Sequence, residues 1–147
     1  MSDTVAISCN ISPTDSSAGL GIEVWLDDQQ LLNQESVSES IEFRHNLSND
    51  VGEHQLRFVM KNKTAEHTKI DEQSNILSDA CLTITNLAFD EVELKQIAVN
   101  LAVYKHDFNG SQAPIQTQFY GEMGCNGTVS LKFTTPVYLW LLENMSH

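Results

Sequence analysis

The sequence predicts an all-β fold, an antiparallel jelly-roll-like β-sandwich closed by a short C-terminal helix. Three observations carry that prediction. Apolar residues recur at every second position in most segments, the spacing that lines one face of a strand. Polar turns containing Gly, Pro, Asn or Asp interrupt these segments at short intervals, as they do in sandwiches and barrels. The chain then ends in a charge-poor stretch. Between Phe108 and Leu142 only Glu122 and Lys132 are charged, and residues 134–142 read Thr-Thr-Pro-Val-Tyr-Leu-Trp-Leu-Leu.

Residues 4–11 form the first predicted strand, with Val5, Ile7 and Cys9 on one face. A Ser/Pro/Asp/Gly loop covers 12–19. Residues 21–27 follow as a strand with Ile22, Val24 and Leu26 on one face and Trp25 on the other. The turn Asp27-Asp28-Gln29-Gln30 then leads to Leu31-Leu32. Val37, Ile41 and Phe43 mark the next strand, which ends at Arg44-His45 before a polar loop over 46–52. Residues 54–60 alternate again, with Leu56, Phe58 and Met60 together. Residues 61–78 are the longest unpatterned run, read as a functional loop or a cover over a sheet edge. Strand pattern returns at 79–87. For 92–104, the alternation Val92-Glu93-Leu94-Lys95 and the β-branched residues predict one or two strands, with a helix over 91–102 as the alternative. Gly124-Cys125-Asn126-Gly127 predicts a hairpin turn, and 129–133 its outgoing strand. Thr135 reads as an N-cap and Pro136 as the first position of a two-turn helix over 137–144. That helix is apolar round most of its circumference, which predicts burial.

The 147 residues are read as one domain, 1–147, with 135–145 as an apolar C-terminal anchor. A hydrophobic fraction of 41% with 19% charged residues excludes a disordered chain. Eight basic residues against 20 acidic ones, a net charge of −12, argue against a nucleic-acid partner. No apolar run reaches membrane-spanning length, and no charged-then-apolar leader opens the sequence, so no membrane partner is expected. Cys9, Cys81 and Cys125 are odd in number and widely spaced, which predicts three free thiols and no zinc site. Six Asn-x-Ser/Thr sequons, at Asn10, Asn46, Asn62, Asn109, Asn126 and Asn144, are read as polar turns.

Catalytic signatures are absent from the sequence. There is no nucleophile-elbow motif and no Cys/His signature, and the His106-Asp107 pair would point to opposite strand faces. Among 20 acids, some carboxylate pair suited to glycoside hydrolysis will always exist, so a hydrolase is the weakest hypothesis. Calcium requires six or more oxygens on loops. Asn49-Asp50, Asp71-Glu72 with Asp79, and Asp107 with Asn109 supply candidates, so calcium is the one cofactor that stays open. For sugar binding, Trp25 offers a stacking platform, with Asp50 and Asp71 as loop contacts.

Residues 22–29, Ile-Glu-Val-Trp-Leu-Asp-Asp-Gln, followed by Gly52-Glu53-His54-Gln55-Leu56, resemble the small calcium-dependent xylan-binding carbohydrate modules. The resemblance covers roughly residues 20–90 and implies a jelly-roll sandwich. In that family a strand ending in Asn-Asp and a later Asp-x-x-Leu segment supply calcium ligands. Asn62 and Asp79 stand at the matching places here, which the resemblance implies as metal ligands. Lys63 replaces the family's Asp, and a cation there opposes a divalent ion. The remainder, from His106-Asp107-Phe108-Asn109-Gly110 to Trp140-Leu141-Leu142-Glu143-Asn144, resembles small structural proteins of tailed phages, especially those of marine cyanobacteria.

These readings lead to one expectation and one alternative. The expectation is a non-enzymatic structural component of a phage virion (decoration, neck, baseplate or fibre-associated), made in the host bacterial cytoplasm. It would self-associate and bind other virion proteins through Tyr138, Trp140, Leu141 and Leu142. The alternative is a working sugar-binding adhesion module that recognises host-surface polysaccharide.

Overall fold

The computed structural model describes residues 4–63, 68–70, 72–73, 76–106 and 113–145. Strand β1 (Thr4–Pro13) runs antiparallel between β4 (Ile41–Ser48) and β8 (Leu82–Phe89). The short strands β9 (Val92–Glu93) and β12 (Glu122–Met123) also pair with β8, which makes a five-stranded sheet. The second sheet has six strands. Their order is β11 (Ile115–Gln118), β10 (Val103–His106), β13 (Gly127–Thr135), β5 (Gly52–Lys61), β2 (Gly21–Leu26) and β3 (Gln29–Gln34). All of these pairings are antiparallel, and the protein is an all-β sandwich. The chain changes sheet between β1 and β2, between β3 and β4, and between β4 and β5, so each sheet is built from segments distant in sequence.

The period-two pattern explains the core. Val5, Ile7, Cys9 and Ile11 point inward from β1 and are fully or almost fully buried. Ile22, Val24 and Leu26 of β2 face them from the other sheet, alongside Leu56, Phe58 and Met60 of β5. Phe89 and Phe133 join the two sheets, with ring centroids 4.8 Å apart. Burial pushes the Cys9 thiol up to about 12, so it packs as an inert small hydrophobe. Cys9, Cys81 and Cys125 form no disulfide.

Helix α2 (Val137–Met145) seals one end of this core. Trp140 reaches both connecting aromatics, with centroids 5.6 Å from Phe89 and 6.2 Å from Phe133. Val137 and Leu141 are buried beside it, on the helix face set by three- and four-residue spacing.

The structure corrects four local expectations. Asn126-Gly127 does not close a hairpin, because β12 belongs to the five-stranded sheet and β13 to the six-stranded one. Gly127 is needed for a different reason: a Cβ there would collide with the Lys105 carbonyl and the His106 side chain on β10. Thr135 is the last residue of β13 and not an N-cap. Its hydroxyl donates to the Asp50 carbonyl, while the Val137 amide is capped by Asn49 Oδ1 at 2.9 Å. The segment 92–104 is neither one strand nor two alone. A two-residue β9 leads to helix α1 (Gln96–Leu101) and then to β10. Burial of Leu94, Ile97 and Ala102 outweighs the strand preference of the β-branched residues there. Finally, the run 61–78 is not a plain loop, since β6 (Thr68–Ile70) and β7 (Ile76–Asp79) pair within it.

Candidate functional site

The outer face of the six-stranded sheet is polar and ordered by strand register. One row crosses it as Gln30, Trp25, Arg57, Ser130, Val103 and Gln118. The next row carries Glu23, Val59, Thr128 and Lys105. Trp25 therefore stands where the alternation placed it, on the face opposite Ile22, Val24 and Leu26. A β-bulge in the β2–β3 pairing lies between Val24 and Trp25, the kind of irregularity that re-aims a side chain.

The environment of Trp25 is fixed on two sides. Its indole N–H donates to Glu23 Oε1 at 2.9 Å, and the Arg57 guanidinium lies 5.4 Å from the ring centre, a cation–π contact. Arg57 Nε is covered and has no hydrogen-bond partner, whereas its terminal NH2 donates to the Asp27 carbonyl at 3.0 Å. The Trp25 hydrogen bond, helped by Lys61 at 3.3 Å, holds the Glu23 carboxyl below its usual range despite some burial.

Beyond this face lies a cleft of about 480 Å³, lined by Asp27, Glu53, His54, Gln55, Lys132, Phe133, Thr134 and Trp140. Its volume suits a small ligand, and it mixes aromatic with hydrogen-bonding groups. Phe133 stacks on His54 at 5.4 Å. His54 Nδ1 meets Asp27 Oδ2 at 2.8 Å, and Nε2 lies 3.2 Å from Thr135 Oγ1. Asp27 Oδ1 accepts the Gln55 amide at 2.8 Å. Burial raises the Asp27 pKa, but the hydrogen bonds from His54 and Gln55 outweigh it and leave the carboxyl below its usual range.

Carboxylate, imidazole and hydroxyl in this order resemble a hydrolytic relay. The same groups also tie distant segments of the chain together. Thr135 is 4% exposed, and its single proton goes to the Asp50 carbonyl. Asp27 and Glu53 both line the cleft, but both Asp27 oxygens are engaged and its lowered pKa unsuits it as a general acid. The cluster joins the β2–β3 turn, the loop before β5 and the end of β13. No His/Asp motif marks this pair in the sequence. The one signal was that Asp27 and His54 fall in the two segments carrying the carbohydrate-module resemblance.

No family model, curated protein or solved structure matches the chain.

The other predicted residues lie apart from the Trp25 face. Asp50 is exposed in the β4–β5 loop beside Thr135, at the start of β5, while Trp25 pairs with Arg57 farther along that strand. Asp71 lies outside the described residues, as do Asp107 and Asn109. Asn62 follows β5 with a positive φ of 72° and donates its side-chain amide to the Glu35 carbonyl at 2.9 Å. The backbone of Asp79 pairs with Thr68 in the β6–β7 ribbon. Lys63 is buried, and its ammonium donates to the Gly124 carbonyl. Among the described residues, no three His, Cys, Asp or Glu side chains converge on a metal site. The four C-terminal residues divide: Trp140 and Leu141 are buried in the chain's own core, whereas Tyr138 and Leu142 are exposed.

Proposed function

We propose that this chain is a non-enzymatic structural component of a phage particle, built on a carbohydrate-module-like sandwich and docked through its C-terminal helix. The partner is a second copy of the chain or another particle protein. The division of α2 carries this reading. Trp140 and Leu141 close the subunit's own core, while Tyr138, Leu139 and Leu142 are 67%, 54% and 52% exposed. These three residues lie three and four positions apart around Leu142, so they form one apolar patch. A two-turn helix that is apolar on both sides satisfies only one side within its own chain. The likeness of residues 106–144 to tailed-phage structural proteins directs the reading to a virion.

Sedimentation velocity tests it. Self-association of the wild-type chain, lost in a Tyr138→Ser/Leu142→Ser double variant of unchanged melting temperature, supports the docking role. A wild-type chain that stays monomeric at every concentration removes self-docking.

A second reading, a sugar-binding adhesion module, is favoured by a separate observation. The outward Trp25 shares a face with rows of amide and hydroxyl side chains, and a cleft of about 480 Å³ adjoins that face. The two roles are compatible, because a particle protein can display an adhesive module.

A further inference from the structure

The charge on this protein is unevenly distributed. The chain carries eight basic and 20 acidic residues. Strand register nevertheless puts Arg57, Lys61, Lys105 and Lys132 on the outer face of the six-stranded sheet, where the acids in the described strands are Glu23 and Glu53, and Glu35 reaches Lys61 from the end of β3. Two of these cations are neutralised or occupied. Lys61 is held by Glu23 and Glu35, and Arg57 lies against the Trp25 ring. Lys105 and Lys132 are both exposed, and neither has an ion-pair or hydrogen-bond partner among the described residues.

The two lysines stand on adjacent strands, Lys105 on β10 and Lys132 on β13. Lys105 sits opposite Thr128 near the start of β13, and Lys132 lies four residues farther along that strand. Strand geometry separates their Cα atoms by roughly 14 Å. Thr128 and Ser130 share this face between them, and Thr134 continues it past Lys132 to the cleft. The lane therefore offers widely spaced positive charges separated by hydroxyl side chains, with Trp25 and Arg57 two strands and one strand to the side.

We infer that this face binds a carboxylated polysaccharide, laid along β13 from Lys105 to Lys132 and into the cleft beyond. The inference rests on the sugar-binding reading and names its ligand class. A chain of acidic sugars matches three features at once. Its carboxylates are spaced apart by neutral rings, its hydroxyls pair with Thr, Ser and amide side chains, and its apolar ring faces suit an indole. Nucleic acid fits poorly, because its closely spaced phosphates call for a larger basic cluster than two widely spaced lysines.

The test is affinity electrophoresis of the full-length protein in gels containing polygalacturonate, alginate or hyaluronan. The same polymers after carboxyl reduction serve as neutral counterparts, and single-stranded DNA as a polyanion control. Retardation by at least one acidic polymer is expected, about tenfold weaker on its reduced form. Lys105→Gln and Lys132→Gln should each weaken it roughly two- to fivefold, and added salt should weaken it further. Trp25→Ala should weaken it roughly fivefold. Both lysines are exposed, so their variants report on binding without loss of fold, and they decide the result if Trp25→Ala lowers the melting temperature. Equal binding of acidic and reduced polymers overturns the ligand class but leaves the sugar-binding reading standing. Binding insensitive to both lysine variants overturns the site. Equal retardation by DNA makes this a general polyanion surface and overturns the inference. Retardation by no polymer removes both the inference and the sugar-binding reading.

Discussion

Asn126 binds the backbone of Lys63 as a second peptide group would. Its Oδ1 accepts the Lys63 amide at 2.9 Å, and its Nδ2 donates to the Lys63 carbonyl at 2.8 Å. The pair ties the end of β5 to the chain entering β13, beyond the point where ladder pairing stops at Met60–Gly127. The Lys63 ammonium reinforces the same junction through the Gly124 carbonyl. Replacing Asn126 by Ala removes both bonds from a half-buried site and is expected to cost about 1–3 kcal/mol, read as a lower urea midpoint. Asn126→Asp keeps the acceptor but loses the donor, so it should recover only part of that loss.

Helix α2 is capped from a distant loop. Asn49 Oδ1 accepts the Val137 amide across 88 residues of sequence, so removing it acts on the helix without touching its own chain segment. Asn49→Ala should lower stability by about 1 kcal/mol, whereas Asn49→Ser should retain most of it. Hydrogen exchange in residues 137–141 should quicken in the Ala variant more than exchange in β1. Equal quickening in both would mean that the cap serves the whole sandwich and not the helix.

Asp27 gives the stability a pH dependence of known sign. Its folded-state pKa is held below the ordinary value of 3.8 by His54 and the Gln55 amide, against the opposing effect of burial. Such a group contributes stability fully above its unfolded pKa, and the contribution is lost as pH falls through the lowered folded value. Near neutral pH, Asp27→Asn should therefore be less stable than wild type, by about 1 kcal/mol, since the carboxylate is partly exposed and screened. The gap should close in acid below the aspartate range. Chemical denaturation at both pH values measures it, and a gap that widens in acid would contradict the assignment.

The two sides of α2 should respond differently to substitution. Trp140→Ala opens a cavity between Phe89 and Phe133 and should cost about 3–5 kcal/mol in the isolated subunit. Leu142→Ser, on the exposed side, should change the unfolding midpoint little and shift the monomer–oligomer balance toward monomer. Trp140 is consequently a poor probe of assembly, because its loss acts first on the fold.

The sequence by itself determined the sandwich and much of its core. Burial of alternate residues is a local signal, and it was legible in Val5, Ile7 and Cys9 and in Leu56, Phe58 and Met60. It also placed Trp25 outward and the terminal helix at 137–144. Tertiary structure alone decided which strands are neighbours. Asn126-Gly127 has the composition of a hairpin, yet the strands flanking it join different sheets, and Gly127 answers to the close approach of β10. Segment 92–104 alternates like a strand, but burial of Leu94, Ile97 and Ala102 makes part of it helical. The Asp27–His54 pair and the cap from Asn49 to Val137 depend on contacts 27 and 88 residues apart, which no local pattern encodes. The cationic lane has the same origin. Lys105 and Lys132 are ordinary scattered lysines until antiparallel register sets them on adjacent strands of one sheet face.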